Sequence, residues 1–137
     1  MKTLTIAAAM LVSMAAPSIA ADWTSGEDKG LRFYDLQDGA SRVLLVCDPD
    51  GVWSPPSYHV TPSEAGVTLS GTSVDVTAGE KTLTLPLSGG SILGQDKDAW
   101  NELLPLLTTP GTVSFAAAGK VFTVEVSGAI DTNCARQ

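Results

Sequence analysis

Histidine is nearly missing from this chain: His59 is the single one in 137 residues. A zinc or iron site built from several imidazoles is therefore excluded within one chain. A Ser-His-Asp triad would have to rest on His59 alone, and the activated-serine signature Gly-x-Ser-x-Gly is absent. Cysteine is scarce too: Cys47 and Cys134 stand far apart, which excludes a Cys-x-x-Cys redox motif. Cations are outnumbered, eight Lys and Arg against fifteen Asp and Glu, and the formal charge of −7 argues against nucleic acid and anionic membrane surface as partners. Ser88-Gly89-Gly90-Ser91 lacks the Lys and the Ser/Thr of a phosphate loop and reads as a linker. No internal repeat or low-complexity tract is present.

The chain does open on one apolar run. Lys2 supplies a positive head, Leu4 to Ala16 is apolar but for Thr5 and Ser13, Pro17 breaks the run, and Ser18-Ile19-Ala20 offers the small residues a signal peptidase reads. Residues 1–20 are thus expected to be a signal peptide, cut after Ala20 or after Ala21. The run is too short for a membrane anchor, which needs about 18 consecutive apolar residues. Export to the periplasm or beyond gives the two cysteines a meaning, because thiols pair in an oxidising compartment. A Cys47–Cys134 disulfide is expected. It would fasten the C-terminus to the most hydrophobic strand, as a structural bond.

Residues 21–30 carry Trp23 as their only large apolar group among acids and glycines, and are expected to be a flexible N-terminal segment. A single β-rich domain then covers residues 31–137. Leu31 to Leu36 makes a weak strand, and Val43 to Cys47 a continuous apolar strand suited to the centre of a sheet. Period-2 alternation marks strands at Val67 and Leu69, Val74 and Val76, Leu83 to Leu87, Val113 to Phe115, and Phe122 to Val126. Thr77 to Glu80 and Ala117 to Lys120 read as hairpin turns. One amphipathic helix is predicted over about 96–108: Asp96 caps it, and Trp100, Leu103, Leu104 and Leu107 share a face. Pro105 is expected to kink or split it. A further helical turn is expected after Gly128. The fold class is mainly β, an antiparallel sheet or small β-sandwich with the helix packed on it.

Asp48-Pro49-Asp50-Gly51 matches a type I turn. It also contains a fragment of a calcium loop, but the third acid and the distal Glu are missing, so the turn explains it and no metal is expected. Directly after it, Trp53, Pro55, Pro56, Tyr58 and His59 crowd together on a backbone stiffened by two prolines. Rigid aromatic groups on a loop are what protein and glycan contacts use. Trp53, Tyr58 and His59 are therefore the candidate binding residues. The competing reading folds Trp53 and Tyr58 inward as a plug on the end of the sheet.

No set of residues is singled out as catalytic and no cofactor is expected. Most acids have a plain role in turns, at the helix start or on outward strand positions. The leader, the Trp soon after it, the cysteine-tethered strands and Leu85-Pro86-Leu87 give a plan that resembles small exported proteobacterial proteins of the invasion-associated locus B type. Trp23 stands farther from Cys47 here than in that family's opening. The resemblance implies an envelope or host-interaction protein without enzymatic activity. The expected function is a periplasmic or secreted binding or accessory module acting on a protein or glycan; the alternative is a small hydrolase using acids near His59.

Overall fold

The computed structural model describes residues 22–128, 130 and 132–137; the leader read over residues 1–20 lies outside them. The strands are β1 (Trp23–Asp28), β2 (Leu31–Asp38), β3 (Ser41–Cys47), β4 (His59–Glu64), β5 (Val67–Thr68), β6 (Ser73–Ala78), β7 (Lys81–Ser88), β8 (Ser91–Leu93), β9 (Gly111–Ala117) and β10 (Lys120–Val126), with helix α1 (Lys97–Thr108) between β8 and β9. They form one antiparallel sheet in the order β1-β2-β3-β4-β8-β7-β6-β9-β10, with β5 beside β4. The mainly β architecture with one helix packed on it is as the sequence predicts. The sheet curls: β10 packs across β2 and β3, and the Glu125 amide donates to Asp38 Oδ2 at 2.8 Å.

Strand alternation explains the core. Val74 and Val76, Leu85 and Leu87, Val113 and Phe115, and Phe122, Val124 and Val126 all point inward and are buried. Phe115 and Phe122 are register partners with ring centroids 5.6 Å apart, a cross-strand aromatic pair. The helix adds Trp100, Leu103, Leu104, Leu106 and Leu107 to the same cluster. Asp96 caps it, its Oδ1 accepting from the amides of Asp98 and Ala99 at 3.0 and 3.1 Å.

Several expectations are corrected. Trp23–Asp28 is not a flexible segment but the edge strand β1, paired with β2 from Trp23↔Leu36 to Asp28↔Leu31. An edge strand exposed along most of its length needs no apolar alternation, which is why it was not visible. Gly26 leaves room for the Phe33 ring, since a Cβ there would stand 2.5 Å from Phe33 Cζ. Strand β3 lies inside the sheet but not at its middle, which is the three-residue β8. Residues 88–91 are not a linker but the end of β7, a Gly89-Gly90 turn with both φ positive (58° and 81°), and the start of β8.

Strand β4 carries no strand signal in the sequence because it contains Pro62. That proline pairs Val43 on the β3 side, while on the other side β8 partners only His59 and Val60 and β5 only Ser63 and Glu64. Pro62 thus sits in the gap between two short strands, where a missing N–H costs the ladder nothing. Pro105 does not split α1. It lies on the exposed face near the C-terminal end, so the helix loses one backbone bond and no packing. Beyond Gly128 the described residues form no helical turn.

Instead, residues 132–136 form a strap without regular structure, sewn down by side chains. Tyr34 Oη donates to Thr132 O at 2.7 Å, and Trp100 Nε1 to Cys134 O at 2.8 Å. Asn101 holds the Arg136 backbone on both sides, Nδ2 to O at 2.7 Å and Oδ1 from N at 2.8 Å. Cys134 is bonded to Cys47 across 87 positions of sequence, with a Cα–Cα distance of 5.5 Å.

Candidate functional site

The residue after Cys47 organises the site. Asp48 is 1% exposed, and its turn closes as the sequence predicts, with the Gly51 amide 3.1 Å from Asp48 O. The carboxylate then gathers the following loop: it accepts from the amides of Val52 (2.8 Å), Trp53 (2.9 Å) and Ser57 (3.4 Å). Burial alone would push the Asp48 pKa up. The amides of Trp53, Val52, Ser57 and Gly51 outweigh it, and the carboxyl is held below its ordinary value. With its oxygens engaged by the loop and Asp50 exposed, this turn is an anchor for backbone. Among the described residues no cluster of three or more His, Cys, Asp or Glu is assembled.

On this anchor the two aromatic residues part company. Tyr58 turns inward: its hydroxyl donates to Asp48 O at 2.8 Å, and its ring meets Trp100 edge-on with centroids 5.7 Å apart. Gly94 permits this approach, because a Cβ there would stand 2.7 Å from Tyr58 Cβ and 2.8 Å from Trp100 Cε3. Burial raises the Tyr58 pKa, Arg136 opposes the rise, and Asp48 and Asp50 add to it. Trp53 instead remains 48% exposed. Its Nε1 donates to Lys29 O at 3.3 Å, and its neighbour Val52 lies against Gly30, so the β1–β2 turn props the indole from behind. Of the two sequence readings, the inward plug describes Tyr58, whereas Trp53 is not folded inward and keeps about half of its surface in solvent.

His59 opens β4 between Val46 of β3 and Leu93 of β8. It is half-buried, and that burial lowers its pKa. Arg136 completes the site from the C-terminal strap: its guanidinium lies 4.7 Å over the Tyr58 ring, and Nη1 donates to Gly94 O.

Trp53, Tyr58, His59, Leu93, Gln95 and Arg136 line an open groove of about 610 Å³. All three residues singled out in the sequence are therefore brought together. Among the described lining residues none is an Asp or Glu, and Arg136 is the ionised one. A second cavity of about 420 Å³ adjoins it, sharing Leu93 and Gln95 and running to Leu85, Pro86 and Asp96.

Sequence reasoning missed Asp48 as the loop's anchor, and Leu93 and Arg136 as walls. A signal for two of them existed: Asp48 follows one bonded cysteine directly and Arg136 follows the other by two residues, so the disulfide itself makes them neighbours. No protein-family model, curated protein or solved structure matches this chain.

Proposed function

We propose that this protein is an exported binding module, working in the periplasm or outside the cell, that acts by contact with a protein or glycan at the Trp53–Arg136 groove and performs no catalysis. The observation that carries the reading is the exposure of Trp53 on a loop whose backbone is held by a buried carboxylate. A large aromatic surface that is left in water yet fixed in place loses little entropy on binding, which is how interface anchors work. Export is supported by the Cys47–Cys134 pair, since such bonds persist in oxidising compartments. No described helix is long and apolar enough to cross a membrane. The envelope or host-contact role implied by the resemblance to the invasion-associated locus B type agrees with this reading.

The competing proposal, a small hydrolase using acids near His59, asks for carboxylates converging on the groove. The absence of Asp and Glu from its described lining weighs against that chemistry. The test is recovery of partners and glycans from the native envelope fraction by wild type and by Trp53→Ala. Contact at the groove predicts a loss of about 2 kcal/mol or more in affinity with the fold retained. Equal recovery by the folded variant would refute it.

A further inference from the structure

The ring donors and loop amides around the groove are already engaged. Trp53 Nε1 is bonded to Lys29 O, the Tyr58 hydroxyl to Asp48 O, and the amides of Val52, Trp53 and Ser57 to the Asp48 carboxylate. His59 and Leu93 are register partners within the sheet, and the Gly94 amide donates to Tyr58 O at 2.9 Å. The groove therefore offers a peptide no unpaired strand edge to extend. It offers the exposed ring of Trp53, and the neutral polar side chains of Ser54, Ser57, His59 and Gln95. That combination suits a sugar, whose C–H face packs on an aromatic ring while its hydroxyls take scattered hydrogen bonds.

Charge narrows the ligand further. Both described hydrogen bonds of the Arg136 guanidinium, to the carbonyls of Gly94 and Gln95, use Nη1. Among the described residues Nε and Nη2 keep their donors, the pair that takes a carboxylate in bidentate fashion. The chain as a whole is strongly acidic at −7 and repels a polyanion. One local cation on an acidic protein selects one carboxylate, not many. The adjoining cavity is bordered by Asp96, so the acidic end of the ligand belongs with Arg136 and the neutral end with Leu85 and Pro86.

We propose that the groove binds a short, mostly neutral oligosaccharide carrying a single hexuronic acid, its carboxylate on Arg136, its ring on the face of Trp53, and its neutral sugars crossing Leu93 and Gln95 into the second cavity. This rests on the contact reading of the groove and names its ligand class. The probe is xylotriose bearing one glucuronic acid, titrated calorimetrically at about 50 mM salt, where charge contacts are weakly screened. It is compared with the same oligosaccharide after reduction of the carboxyl to an alcohol, and with a tetragalacturonate.

The acid is expected to bind at least tenfold tighter than its reduced form and tighter than the tetragalacturonate. Arg136→Gln, whose backbone bonds to Asn101 remain, should erase the difference between acid and alcohol, and Trp53→Ala should abolish binding of both. Equal affinity for acid and alcohol in the wild type overturns the single-acid assignment and leaves the groove standing. So does an acid preference that survives Arg136→Gln. Failure of all three sugars, with a proline-rich acidic peptide binding in a Trp53-dependent way, overturns the sugar assignment alone. Sugar binding undiminished by Trp53→Ala overturns the groove as the site.

Discussion

The β2–β3–β4 unit has two ends, and they are built by different means. At one end the Gly39-Ala40 and Ala65-Gly66 turns lie side by side, joined by the Ala65 amide donating to Ala40 O at 2.8 Å. Each turn reverses the chain within two residues, with positive φ at Gly39, Ala65 and Gly66, and the Glu125 amide on Asp38 Oδ2 adds a long-range tie beside the first. At the other end, the Asp48 to Tyr58 loop, the β1–β2 turn and the C-terminal strap are held by contacts between distant residues: Trp53 with Lys29, Tyr34 with Thr132, Trp100 with Cys134, Asn101 with Arg136. The turn end closes the sheet economically. The stitched end holds a concave surface open, because long-range ties can fix a loop without folding it onto the core.

If that difference is real, the stitched end should fail under changes that leave the turn end intact. The largest effect is expected from removing the disulfide by joint Cys47→Ser and Cys134→Ser: about 4–5 kcal/mol of unfolding free energy for a loop of this length, measured by denaturant titration. Hydrogen exchange should rise in residues 130–137 well before it rises at the Gly39 and Gly66 turns. Next comes Tyr58→Ala, which removes the ring packed between Trp100 and Arg136; about 3 kcal/mol is expected.

Asp48→Asn should cost about 1.5–3 kcal/mol near neutral pH, since it weakens charge-assisted bonds to several amides. The Asp48 pKa is lower in the folded than in the unfolded state. Its contribution is therefore fully present above the unfolded value near 3.8 and is lost as pH falls through the folded one. The cost of Asp48→Asn should shrink on acidification, and an unchanged cost at pH 2 would contradict the anchor role. His59 gives a smaller effect. Burial depresses its pKa, so the unfolded chain takes up a proton near 6.5 that the native state refuses. Stability falls as pH drops below that value, and His59→Phe should flatten the slope there in a pH series of melting curves.

The β6–β7 and β9–β10 hairpins and the helix were legible in the sequence, and the stitched end only in part. Hairpins at Thr77 to Glu80 and Ala117 to Lys120 follow from glycine between alternating strands, and the helix follows from the Asp96 cap and the spacing of Trp100, Leu103, Leu104 and Leu107. Strands β1, β4 and β8 were not legible, because one is an exposed edge, one carries a proline in a gap of the ladder and one is three residues long. Asp48 looks like a turn residue whether or not its carboxylate holds a loop. Trp53 and Tyr58 share a composition and a neighbourhood, yet what separates them is space left by Gly94 beside Trp100, about forty residues away in sequence. Local pattern cannot register that.

The smallest effect on stability is the most informative. The account turns on Trp53 being held for contact and contributing little to the fold, so the direct measurement is the unfolding free energy of Trp53→Ala by denaturant titration, alongside Tyr58→Ala under the same conditions. A cost under about 1 kcal/mol for Trp53→Ala, as for an exposed position, against about 3 kcal/mol for Tyr58→Ala, is the expected result. A cost of about 3–5 kcal/mol for Trp53→Ala, the range for a buried aromatic, would make it part of the plug and contradict the groove.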